Sequence, residues 1–63
     1  MNKLYDVVAV SLSTNKLRIL AIGKTIKNAE AIVSFAVMRQ GVEKEFFAEV
    51  PANRYQEGDN WLG

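Results

Sequence analysis

Between Thr25 and Gly41 the chain has one stretch that fits a helix and little else. Thr25 is a good N-cap, the run that follows contains neither Gly nor Pro, and Gly41 stands where a left-handed residue ends a helix. Glu is absent three residues after Thr25, where Asn28 stands, so the capping box is incomplete. At about 100° per residue, Ile26, Ala29, Ile32, Val33, Ala36 and Val37 share one broad arc. Ala31, Phe35 and Met38 form a second apolar patch roughly opposite, with Lys27, Glu30 and Ser34 along one seam and Asn28 and Arg39 along the other. A helix lying on one sheet needs only the first arc. The second wants something else to touch.

Two strand-like runs precede the helix, Leu4 to Ser13 and Leu17 to Lys24. The polar Ser13-Thr14-Asn15-Lys16 between them places Asn where a left-handed turn residue belongs, so the pair reads as a hairpin. With Thr14 and Asn15 at the tip, Leu12 faces Leu17, Val10 faces Ile19 and Val8 faces Ala21 on the expected core side. The other side then carries Tyr5, Val7, Ala9, Ser11, Arg18, Leu20 and Ile22, too apolar for a solvated face. The hairpin is apolar on both sides.

Val42 to Val50 reads as a third strand ended by Pro51, with Phe46, Ala48 and Val50 on one face. Glu43, Glu45, Phe47 and Glu49 lie on the other, where the carboxylates are expected to be solvated and to discourage edge pairing. The expectation is an α+β fold of order β-β-α-β over residues 1–51, with a C-terminal extension over residues 52–63. The third strand is expected either antiparallel to the first or parallel to the second through a right-handed crossover. The extension has no clear period, yet it carries Arg54, Tyr55 and Trp61, and disordered tails are poor in aromatics. Docking on its own domain or on a partner is expected.

Sixty-three residues bury only about 60% of the surface of the unfolded chain, so the stability margin is thin. Small domains compensate with disulfides, metals or oligomerisation. With no Cys and no His, the first two routes are closed or narrow, and oligomerisation remains. Nucleophilic catalysis would need Ser or Lys devices that no spacing here favours. Glu43, Glu45 and Glu49 fit a solvated stripe or a salt-bridged surface better than a metal site. The expectation is therefore a protein that is not an enzyme and takes no cofactor.

Eight basic and seven acidic residues leave a formal charge of +1, which gives no strong pull toward nucleic acid or membrane surfaces. No run reaches the roughly 18 residues of a membrane span, and Asp6 interrupts any leader-like apolar core, so a soluble cytoplasmic protein is expected. Gly23-Lys24-Thr25 before a helix lacks the loop of a phosphate-binding motif. Arg18, Lys24, Thr25, Lys27 and Arg54 remain candidate contacts for a small anionic ligand. With Tyr5, Tyr55 and Trp61 they also leave open a nucleotide or nucleic-acid module.

The candidate interface comprises Phe35, Met38, Ala31, Val7, Leu20, Ile22, Tyr55 and Trp61. Self-association, coverage by the C-terminal extension and a foreign partner are the three ways to satisfy it. In overall look, from Asn28-Ala29-Glu30-Ala31-Ile32-Val33 through Met38-Arg39-Gln40-Gly41-Val42-Glu43, then Phe46-Phe47 and Gly58-Asp59-Asn60-Trp61, the chain resembles small uncharacterised bacteriophage-encoded proteins. That resemblance carries no motif of known chemistry. It implies action in the host cytoplasm by stoichiometric binding, either inhibiting a host protein or sequestering a small host signal.

Overall fold

The computed structural model describes residues 3–63. Met1 and Asn2, part of the opening stretch read as lacking a leader, lie outside the described residues. The chain forms an α+β fold in the order β1 (Tyr5–Ser11), β2 (Leu17–Lys24), α1 (Ile26–Gln40) and β3 (Glu45–Pro51). The strands make one antiparallel sheet in the order β2-β1-β3. Of the two expected arrangements of β3, the antiparallel pairing with β1 is the one formed; β1 lies between β3 and β2, so the parallel pairing with β2 is not made.

The helix begins and ends as its sequence dictates. Thr25 Oγ1 accepts from the Asn28 backbone N–H at 3.4 Å, and the Gly41 N–H donates to the Val37 carbonyl at 2.9 Å with φ at 72°.

The hairpin register differs from expectation by two residues: Val10 faces Leu17 and Val8 faces Ile19. The cause is a longer loop. Ser11 donates its N–H to Lys16 and accepts from Asn15, while its Oγ accepts from the backbone N–H groups of Ser13 and Thr14. Leu12 therefore leaves the strand and is exposed. Asn15 does take the left-handed conformation, at φ 62°, in the last position of that loop. Further along, the β1–β2 register shifts between Val8 and Val7 and again between Val7 and Tyr5, with Gly23 at φ 65°.

Both faces of this sheet are covered, each by a different element. Val8, Val10, Leu17 and Val50 pack with Tyr55, flanked by Ile19, Phe46, Ala48 and Trp61. The C-terminal segment thus lies across this face as a strap. Val7 and Ala9 alternate to the opposite face and are fully buried there. Arg18, the partner of Ala9, reaches Gln40 of α1 on that same side at 3.1 Å, so the helix covers this second face. It does so with Ala29 and Ala36, the two buried residues of α1, supported by half-buried Ile32 and Val33. Small side chains let the helix axis approach the sheet closely. Ile26 and Val37, expected on the buried arc, sit at its rim and are 39% and 38% exposed.

The strap is anchored at both ends. Asp6, 4% exposed in the middle of the sheet, accepts from the Gly23 N–H through one oxygen and from the Asn53 N–H through the other, each at 3.1 Å. One carboxylate thus clasps the bulge in β2 to the turn after β3. At the far end, Gly58 and Asp59 exchange backbone hydrogen bonds with Leu17, and the Trp61 N–H donates to the Asn15 carbonyl at 2.8 Å.

Candidate functional site on the outer face of the helix

Phe35 and Met38 remain on the side of α1 turned away from the sheet, 59% and 84% exposed, and Ala31 is exposed one turn earlier. The strap lies on the other side of the sheet, so coverage of this patch by the C-terminal extension is ruled out. Beside it runs an open groove of about 540 Å3 lined by Ala31, Ile32, Phe35, Ala36, Arg39 and Gln40. The Arg39 guanidinium lies 5.4 Å from the centre of the Phe35 ring, within cation–π range. Arg39 and Gln40 were not among the expected interface residues. Their neighbourhood to Phe35 at four and five residues' spacing was available in the sequence.

Other members of the expected interface lie elsewhere. Val7 is fully buried on the helix face, beneath α1. Tyr55 is 6% exposed, its ring stacked on Trp61 at 5.5 Å. Trp61 meets Phe46 edge-on at 5.4 Å. Both strap aromatics complete the chain's own core, because a sheet apolar on both faces needs a second cover. Leu20 is half-buried, while Ile22 is 69% exposed on β2.

The anion contacts are brought together only in part. Lys24, Thr25 and Lys27 cluster at the start of α1, where the Thr25 hydroxyl is occupied as the cap. Arg18 lies near the other end of the helix, about 20 Å away along its axis. There it donates to both oxygens of Glu45, with a closest approach of 3.0 Å. That hydrogen bond holds the Glu45 carboxyl below its ordinary value, against some opposing desolvation, and raises the Arg18 guanidinium. Arg54 sits in the strap over the Tyr55 ring at 5.3 Å. The carboxylate stripe is only partly solvated, since Glu45 and Glu49 are half-buried beside the helix.

Among the described residues no group of three or more carboxylates converges to hold a metal ion, and no helix is long and apolar enough to cross a membrane. Compared with protein-family models, with curated proteins and with solved structures, the chain has no match.

Asp6 and Glu57 are residues that sequence reasoning passed over. Glu57 accepts from the Ile19 N–H at 2.8 Å. A lone carboxylate inside an apolar strand was the readable signal for Asp6, because buried acids are rare unless paired or hydrogen-bonded.

Proposed function

We propose that this protein acts by stoichiometric binding and not by catalysis, with the outer face of α1 as its contact surface and a second copy of the chain as its first occupant. The observation that carries this reading is the exposure of Phe35 and Met38 on a helix whose inner face is already satisfied. Support also comes from the groove beside Phe35, which can receive side chains from a facing surface. In the self-associated form the protein occupies a protein of the host cell, as the resemblance to small phage proteins implies. Arg18 stands at the opposite end of α1 from Lys24 and Lys27 and is already paired with Glu45, which counts against the nucleic-acid alternative and against a small anionic ligand.

Sedimentation equilibrium of the full chain tests the reading. An oligomer is expected, and Phe35→Ser is expected to return it to a monomer that keeps the parent's circular dichroism spectrum while losing the concentration dependence of its unfolding midpoint. A monomer at every accessible concentration removes the second copy as occupant. Loss of fold in Phe35→Ser removes the assignment of this face as a contact surface.

A further inference from the structure

The two edges of the sheet are protected very differently. The β2 edge is interrupted by two register shifts, pairs with Gly58 and Asp59 of the strap, and has its Ile19 N–H capped by Glu57. The β3 edge has none of these. Its register with β1 runs unbroken from Tyr5↔Pro51 to Ser11↔Glu45, with no lysine and with proline only at its end.

Which backbone groups this edge offers follows from the ladder. Ala52 donates to the Leu4 carbonyl at one end, and Leu12 donates to the Lys44 carbonyl at the other. Alternation then turns Phe46, Ala48 and Val50 toward β1, and turns the N–H and C=O groups of Glu45, Phe47 and Glu49 outward. Among the described residues nothing pairs with them.

We infer that the outer edge of β3 is a strand-docking site for an extended segment of another protein carrying basic residues at positions i and i+4 around an apolar residue. The side chains that accompany the free amides are two carboxylates flanking a phenylalanine, Glu45-x-Phe47-x-Glu49. Side chains four residues apart in an extended strand are about 13 Å apart on one face, so an added strand with the same spacing sets cations opposite both carboxylates. Glu49 makes no ion pair among the described residues, and Glu45 shares only Arg18. A second copy fits poorly. A two-fold pairing of β3 with itself about Phe47 sets Glu45 opposite Glu49 twice, and like charges directly opposite destabilise a ladder. This site is separate from the outer face of α1, so either can fail without the other.

The test follows amide hydrogen exchange of the full chain by NMR. The probe is an end-capped peptide of seven residues, matched to β3, with Lys, Val and Lys at its even positions and Thr elsewhere. In the free protein the Glu45, Phe47 and Glu49 amides should exchange faster than those of Phe46, Ala48 and Val50. With peptide at ten times its Kd, the three outward amides should slow about tenfold. Glu in place of Lys, or N-methylation at the central Val, should abolish the protection. Glu49→Lys should weaken the Lys peptide about fivefold while leaving Trp61 fluorescence unchanged. Phe35→Ser should leave the binding intact. The proposal is overturned if the Lys peptide protects nothing, or if the Glu or N-methylated peptide protects equally well. It is also overturned if the three amides are already protected in a free chain of doubled mass, which would place a second copy on the edge.

Discussion

The two covers of the sheet solve the same problem by opposite means. On one face, α1 seats two alanines against Val7 and Ala9, so the cover is a regular element brought close by small residues. On the other, the strap has no repeating structure and closes the core with Tyr55 and Trp61, tied down by hydrogen bonds to Asp6, Leu17 and Asn15. A helix satisfies its own backbone and can be placed by packing alone. An irregular strap leaves its backbone groups unpaired, and the strands and carboxylates beneath must supply partners. The helix therefore keeps a free outer face, while Tyr55 and Trp61 of the strap are committed inward.

The contrast can be broken most forcefully at Tyr55. Tyr55→Ala removes a buried aromatic from the strap face and should cost about 3 to 5 kcal/mol in urea unfolding followed by circular dichroism. A cost near that of a surface change would mean that the strap is not half of the core. Asp6→Ala leaves the Gly23 and Asn53 N–H groups without their acceptor and should cost about 1 to 3 kcal/mol. Exchange of those two amides should rise with it; unchanged exchange would show that the clasp is not what holds the strap. On the helix face, Ala36→Leu should destabilise by about 1 to 3 kcal/mol through overpacking. A neutral or stabilising result would show that the close approach of α1 is not needed.

The smallest effect is expected at Arg18 and Glu45, which join the end of the helix cover to both outer strands. Their side chains are 45% and 25% exposed, so the pair should contribute below about 1 kcal/mol. Because the folded state lowers the Glu45 carboxyl below 4.5, that contribution is present above the unfolded value and is lost as pH falls through the folded one. Glu45→Gln should therefore be less stable than the parent at neutral pH and converge with it in acid. Parallel stability curves across that range would dispose of the ion pair as a stabilising contact.

Much of the fold was legible because its signals are local. Thr25, Gly41, Asn15 and Pro51 each act within a few residues, and the structure places the cap, the stop, the left-handed turn residue and the strand end where they stand. The register was not legible, since a loop held by the Ser11 hydroxyl and the two irregularities in β2 move partners without altering the apolar pattern. Two-sided apolarity of the hairpin was visible, but not its meaning. The pattern leaves open self-association, a foreign partner and coverage by the C-terminal extension, and it places Tyr55 and Val7 on the candidate interface. Contacts spanning 47 residues, such as that between Asp6 and Asn53, turn it into a second interior of the same chain. Phe35 and Met38 stayed outside because no segment of the described chain passes over α1.

The clasp at Asp6 also has a consequence in time. Its two donors, Gly23 and Asn53, lie 17 and 47 residues away along the chain, and the Asn15–Trp61 contact spans 46. Contacts between such distant residues form late, because the chain entropy of closing a long loop is lost before the contact returns anything. The hairpin and helix can assemble from neighbours, whereas the strap must wait for the sheet that receives it. Folding should therefore end with the strap, and the first local opening of the native state should be its release, exposing Val8, Val10 and Leu17 while α1 still lies in place.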